Sequence, residues 1–409
     1  MRGIGVLMAG SAAVLVACAG NPTTGGQSVP AVDARSLGAN GFAPDIPNVR
    51  AACRAPADGV RCFALIRTDI RSRRGVHPNV APLGYGPADL TEAYGLPHGP
   101  RSGEGQTLAV VDEHDDPKAE SDLAVYRAQF GLKPCTAANG CFKKVDQYGG
   151  TNYPPPDRGW ADEISVDLDV ASAVCPNCNL ILVEASRPSV RGDLGVAEDE
   201  AVKLGANVVS NSYGGFPEKS SYNPAYDHPG HMIVAASGDG GSRFPFQPCS
   251  FATVVCVGGT TLLKGADARD WTEVSWRYSG SGCSRLVAKP DWQKNVGCSM
   301  RSWADVSAVA NPLTGIAFYD TFHSPGWGVS GGTSVASPLI AGVYALAGNA
   351  ASQHYARGLW HAGGTSKFND VTAGPTNGPC QLPYLYICVP GPGYDGPTGW
   401  GTPNGVGAF

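Results

Sequence analysis

Apolar residues along the chain cluster into short runs: TLAVVD (107–112), NLILVEA (179–185), ANVVSNSY (206–213), MIVAAS (232–237) and TVVCVGG (253–259). Such runs are aliphatic with little polar interruption, the pattern of strands buried on both faces. Helical patterns separate them. The alternation predicts an α/β fold, a mainly parallel central sheet with helices on both faces. Ligands of such sheets bind at the carboxyl ends of the strands. No internal repeat is visible. One segment, DEISVDLDVASAVCP (162–176), reads two ways. Alternation at 164, 166, 168 and 170 would allow a strand. Fourteen residues without Gly or Pro before Pro176 favour a helix with Ile164, Leu168, Ala171 and Val174 inward. The helix places Glu163 and Asp167 on one face, at i and i+4. Like charges so spaced repel unless they face water or serve a purpose.

A length of 409 residues with 43% apolar and 16% charged composition allows one large α/β domain or two smaller ones, and excludes a disordered chain. The net charge is −5 and no basic run exceeds RSRR at 71–74, so nothing marks a nucleic-acid partner. The first twenty residues, MRGIGVLMAGSAAVLVACAG, have the form of a secretory signal rather than a membrane span. Residues 1–19 are therefore assigned to a signal. Leu15-Val16-Ala17-Cys18 resembles a bacterial lipobox, so Cys18 is a candidate lipid anchor, with ordinary cleavage near Ala17 and Ala19 the alternative. The protein is expected outside the cytosol, either secreted or held at the cell envelope. Twelve further cysteines fall into near neighbours, 53/62, 135/141, 175/178, 249/256, 283/298 and 380/388, consistent with six local disulfides in an oxidising compartment. Cys175-Pro-Asn-Cys178 lacks a second CxxC or a nearby histidine and reads as a stapled turn rather than a zinc site. Residues 20–74 read as a leader or short propeptide-like segment, and 75–409 as the functional domain.

SGGTSVASP (330–338) places Ser334 among small residues ahead of the apolar run LIAGVYALAG, the setting of a nucleophile at the start of a buried helix. None of the eight histidines stands in a motif that announces its base. Taken with the Glu163/Asp167 pair and with IVAASGDGG (233–241), where an apolar strand ends in Ser-Gly-Asp239, the pattern resembles the sedolisin family of serine-carboxyl peptidases. The resemblance covers roughly 75–409. It implies a subtilisin-like fold, with Ser334 the nucleophile, Glu163 the general base and then acid, Asp167 its orienting partner, and Asp239 the oxyanion partner. The chemistry is coherent without the family. A serine needs a base held by a third group, and two carboxyls sharing a proton raise one apparent pKa. Asp239 must be neutral to donate to an oxyanion. An activity optimum below about pH 6 follows.

The resemblance further implies a calcium site from KFNDVTAG (367–374) and GPGYDGPTGWGTPNG (391–405): the carboxylates of Asp370 and Asp395 and the carbonyls of Val371, Gly391 and Gly393, a hard-oxygen set. SNSYGG (210–215) would pair with an extended peptide, with Ser212 and Gly214 as substrate contacts. A monomer acting on protein or peptide substrates is expected. The sequence departs from the family in having only about fifty-five residues between the signal and the catalytic domain, too few for the usual prodomain. Two rivals remain. One is a subtilisin-type Ser-His-Asp protease using Asp112 in AVVDEHDDP. It lacks a His-Gly-Thr motif, so Asp112, Asp115 and Asp116 read instead as loop and helix-start carboxylates. The other is an envelope protein that binds peptides in the same cleft without cutting them.

Overall fold

The apolar runs form the centre of a sheet, in a computed structural model that describes residues 44–409 apart from 55–58, 71–73, 78–80, 188, 220–222, 266–268, 295 and 381–383. The candidate signal, Cys18 and three residues of RSRR lie outside the described residues. The first strands are short: β1 (Val49–Ala51), β2 (Val60–Cys62) and β3 (Leu65–Arg67). Helix α1 (Pro87–Tyr94) leads into β4 (Thr107–Glu113), α2 (Ala119–Gln129), β5 (Phe142–Asp146), α3 (Arg158–Val174) and β6 (Asn179–Ala185). Then come α4 (Asp193–Lys203), β7 (Val208–Asn211), β8 (Tyr213–Gly215) and β9 (Met232–Ala236). The second half holds β10 (Val255–Lys264), β11 (Trp271–Ser275), β12 (Gly282–Ala288), β13 (Met300–Trp303), β14 (Val306–Val309), β15 (Ile316–Asp320) and β16 (Gly326–Gly331). Helices α5 (Thr333–Ala347) and α6 (Arg357–Ala362) and the small ladder of β17 (Phe368–Asn369) with β18 (Thr402–Pro403) close the chain.

The main sheet has the order β11-β10-β9-β7-β4-β6-β5, with β14 also paired to β10, and it is parallel except for the β10·β11 hairpin. Strand β4 lies between β6 and β7, and connections leave it in both directions. The carboxyl ends of β4, β7 and β9 therefore open beside one another, and they carry Asp112, Ser210 to Ser212, and Ser237 to Asp239.

Helix α3 forms where the unbroken stretch predicts it. The Asp157 carboxylate caps its N-terminus, accepting the N–H groups of Gly159 (2.8 Å) and Trp160 (3.1 Å). Every residue from Trp160 to Val174 is buried, so the acidic face does not lie in water. Helix α3 packs on α5, where a Cβ at Gly342 would come within 2.6 Å of Val174, so a larger residue there would push the two helices apart.

Six disulfides join the neighbouring cysteines as expected: 53–62, 135–141, 175–178, 249–256, 283–298 and 380–388. No helix among the described residues is long and apolar enough to cross a membrane. Residues 49–54 and 59–67, ahead of the boundary expected at 74/75, are woven into the body. Strands β1 and β3 belong to an antiparallel sheet with β16 and β15, and β2 pairs with β8.

Candidate active site

Ser334 is the second residue of α5 and is fully buried. The residue just ahead of the helix is Gly332, whose φ of +88° suits glycine. A Cβ there would lie 1.9 Å from the carbonyl oxygen of Phe63, so the absent side chain leaves room for a peptide to approach the serine. Pro338, four residues on, has no N–H to offer the Ser334 carbonyl. The Ser212 hydroxyl donates to that carbonyl instead, at 3.3 Å. The proline thus frees a helix acceptor that ties the nucleophile's turn to the end of β7.

The Ser334 hydroxyl donates to the Ser212 carbonyl at 3.1 Å, and its oxygen accepts the Phe63 N–H at 3.1 Å. Glu163 and Asp167 lie beside it, both completely buried. Glu163 Oε2 accepts the Ala64 N–H at 2.8 Å, and Asp167 Oδ1 accepts the Ser212 hydroxyl at 2.7 Å. Glu163 Oε1 and Asp167 Oδ2 have no hydrogen-bond partner. Burial above all, then the charge of Asp112, holds the Glu163 carboxyl well above the ordinary carboxylate range, against the pull of Ser334 and the Ala64 N–H. Asp167 is raised well above its ordinary value by burial and by the charges of Asp112 and Glu163. These carboxyls cannot all ionise together near neutral pH.

Asp239 joins them from the loop after β9. Its Oδ1 accepts the Thr333 N–H (2.9 Å) and hydroxyl (3.0 Å), while Oδ2 has no partner. That free oxygen lies 3.0 Å from the point where a Cβ on Gly332 would sit, beside the Phe63 carbonyl. Burial raises Asp239 to about 7 despite the Thr333 N–H and the Arg61 charge. The four residues thus converge on one point at the carboxyl end of the sheet. Ser334 also keeps a backbone N–H in the first turn of α5, one of the donors a helix leaves unpaired.

Asp112 is a correction. It stands in β4 rather than in a loop, is fully buried, and neither of its oxygens has a hydrogen-bond partner. Burial raises it to about 8, and its charge bears on both Glu163 and Asp167. It meets no histidine: the His114 ring bonds the Pro155 carbonyl (2.9 Å) and lies 3.2 Å from Glu113. Asp115 and Asp116 do lie at the turn before α2. Asp115 pairs with Lys144, and Asp116 accepts the Lys118 N–H at 2.8 Å. Of the expected substrate contacts, the Ser212 carbonyl accepts the Phe63 N–H at 3.2 Å, and Gly214 pairs with Arg61. The Ser212 hydroxyl is shared between Asp167 at 2.7 Å, its shorter contact, and the Ser334 carbonyl, a role the sequence did not suggest.

Asp370 and Asp395 approach each other across the C-terminal loop. Asp370 Oδ2 accepts the Gly393 N–H at 2.8 Å, and Asp395 Oδ2 accepts the Gly391 N–H at 2.9 Å. Both the N–H and the hydroxyl of Thr398 donate to Asp395 Oδ1, each at 2.9 Å. Burial chiefly, with the charge of Asp370, raises Asp395 to about 7. Val371 is buried next to Asp370. Two facing carboxylates, one of them buried, in a glycine-rich loop fit a hard divalent cation better than a soft one.

Residues 150–362 match the model of the subtilase family. Kumamolisin of Bacillus sp. (strain MN-32) is 30% identical over 367 residues, 80% of this chain and 63% of its own length. Sedolisin of Pseudomonas sp. (strain 101) is 30% identical over 181 residues, 40% of this chain and 30% of its own length. The chain thus spans less than two thirds of either curated relative. Among solved structures, Pseudomonas sedolisin, a serine-carboxyl proteinase complexed with two molecules of pseudo-iodotyrostatin, superposes with a TM-score of 0.63 at 22% identity, covering 80% of this chain and 96% of that one. The fold is subtilisin-like, and the chain belongs to the sedolisin family within the subtilases.

Proposed function

We propose that the protein is an acid-acting serine-carboxyl endopeptidase that cuts proteins or peptides through an acyl-enzyme on Ser334. The observation that carries this reading is the convergence of Ser334, Glu163 and Asp239 on one backbone peptide, Phe63–Ala64, with Asp167 bonded to Ser212 beside them and no histidine among the described partners of the serine. Glu163 takes the serine proton during attack and returns it to the leaving amine. Asp167, fixed by Ser212, orients Glu163 and shares its proton. Neutral Asp239 donates to the oxyanion from Oδ2, together with the Ser334 N–H.

The pH dependence follows from two conditions. The first proton must leave the buried carboxyl set before Glu163 can act as a base, which sets the acid limb. Asp239 must keep its proton, and with a value of about 7 it loses it as pH rises through neutrality. Activity peaks on the acid side of that value.

The carboxylates of Asp370 and Asp395 with the carbonyls of Val371, Gly391 and Gly393 would hold Ca²⁺. The ion would neutralise the two facing carboxylates and tie the last loop to β14 and β18. The six disulfides support export to an oxidising compartment, with Cys18 a lipid anchor in the envelope-bound case. Product formation from a denatured protein at acid pH, absent in Ser334→Ala, tests the reading. Saturable binding without product would favour the peptide-binding alternative.

A further inference from the structure

SNSYGG (210–215) holds more than a serine and a glycine near a peptide. Only Ser212 separates β7 from β8, and side chains alternate across an extended chain, so even and odd positions face opposite sides of the sheet. The even positions face the helices of the active site. Ser210 bonds Ser337 of α5 at 2.9 Å, and Ser212 bonds Asp167 of α3 at 2.7 Å. Val209 and Tyr213 pack on the other side, in one apolar cluster with Leu194, Ala197 and Ala201 of α4. Asn211 is the odd position between them.

On that far side the polar groups form a chain. The Tyr213 hydroxyl donates to Asn211 Oδ1 at 2.6 Å, spanning Ser212, and lies 3.0 Å from the Tyr226 hydroxyl. Asn211 Nδ2 donates to the Val234 carbonyl of β9 at 3.2 Å, which holds the amide with its oxygen toward the phenol. Asn211, Tyr213, Tyr226 and Glu198 of α4 are all completely buried, and neither Glu198 oxygen has a hydrogen-bond partner. Burial holds the Glu198 carboxyl well above the ordinary range, Asn211 draws it down, and Asp199 raises it further. Apolar side chains of like shape would cover α4 without the cost of burying these groups, so the fold alone does not call for them.

Their influence reaches the active site through one residue. Ser212 divides its hydroxyl between Asp167 and the Ser334 carbonyl (3.3 Å), and its own carbonyl accepts the Ser334 hydroxyl at 3.1 Å. The bond from Tyr213 to Asn211 closes the backbone on both sides of Ser212, so a turn of either flanking peptide plane would break it.

We propose that Asn211 and Tyr213, backed by Tyr226 and Glu198, are positioning residues that hold Ser212 in line with Asp167 and Ser334 from the opposite side of the sheet. The proposal rests on the peptidase reading above. The four act through Ser212, since none of their side chains bonds Ser334, Glu163, Asp167 or Asp239. Burial, with the charges of Asp112 from β4 and Glu163 from α3, raises Asp167, and the Ser212 bond is what lowers it. Loss of that bond makes the first proton harder to remove from the carboxyl set, so the acid limb of the pH–rate profile moves to higher pH.

The test is a double-mutant cycle between Tyr213→Phe and Ser212→Ala in the full chain. It reads kcat and KM from pH 2 to 9 on a peptide that the wild type cuts, with the melting temperature alongside. Tyr213→Phe is expected to lower kcat by about five- to tenfold with KM within about twofold, and to move the acid limb to higher pH. Ser212→Ala should do the same more strongly, and in that background Tyr213→Phe should change neither kcat nor the limb. Tyr226→Phe, one bond further out, should move the limb less and in the same direction. It takes the place of Tyr213→Phe in the cycle should that variant fail to fold. Equal losses of kcat in both backgrounds, or a lower melting temperature with the limb unmoved, would mark a purely structural cluster and overturn the proposal while the peptidase reading stands. A limb that Ser212→Ala leaves in place overturns it as well. Absence of turnover by the wild type at every pH defeats the peptidase reading, and this proposal with it.

Discussion

Two buried carboxylate sites show how the same chemical group serves opposite ends. Asp305 is completely buried, and every lone-pair direction is answered: Arg301 reaches it with two nitrogens (2.8 and 2.5 Å), the Trp360 indole at 2.7 Å and the Cys256 N–H at 2.9 Å. Glu163, Asp167, Asp112 and Asp239 are equally buried, yet each keeps at least one oxygen without a partner and none forms a salt bridge among the described residues. A buried polar atom left unpaired costs roughly 1–3 kcal/mol. The first arrangement leaves nothing to react. The second favours protonated carboxyls, because their charges would repel one another if they ionised together, a destabilised arrangement confined to the surroundings of Ser334.

The difference can be broken from either side. The largest effect is expected from Ser334→Ala or Glu163→Gln, each lowering kcat by about 10³-fold or more with the fold intact by circular dichroism. Asp239→Ala should lower kcat by about 10²- to 10³-fold. Asp239→Asn keeps a donor at every pH, so its profile should lose the alkaline limb near 7, as read from kcat against pH. At the structural site the signs reverse. Asp305→Ala leaves Arg301 buried without its partner and should cost about 3–5 kcal/mol in denaturant unfolding, with the pH optimum unmoved.

Stability against pH gives a smaller, graded test. Asp112 and Asp320 are raised to about 8 and Asp239 to about 7 by burial, all from 3.8. The folded chain therefore holds protons that the unfolded chain releases. Their contribution is complete below about pH 4 and is lost as pH rises through 7 to 8. Ser334→Ala, which cannot digest itself, should melt at a higher temperature at pH 4 than at pH 8. The smallest effect is expected from chelation. Removing calcium should lower the melting temperature of the wild type but not that of Asp370→Asn.

How much was legible in the sequence divides along the same line. The strands were, because two-sided burial writes itself as unbroken aliphatic runs. So was α3, since no glycine or proline interrupts 162–175. The disulfides followed from near-neighbour spacing. Asp112 was misread, because an aspartate ahead of Glu-His-Asp-Asp-Pro looks like the start of a loop. The available signal was that it continues the apolar run 107–111 with no turn residue between, so it had to end inside the sheet. Strands β2 and β3 were invisible for a different reason. They are three residues long, too short for periodicity, and their register comes from β8 and β16 rather than from their own side chains. Ser212 showed its place near a peptide but not its bond to Asp167, which depends on how α3 lies across the end of β7.

The most direct test of the central claim, that a buried glutamate replaces histidine as the base of Ser334, is the pH–rate profile from pH 2 to 9 on a denatured protein, with Glu163→Gln and Ser334→Ala beside the wild type. An acid optimum abolished by both substitutions is the predicted result. Activity near pH 8 that survives Glu163→Gln would contradict it.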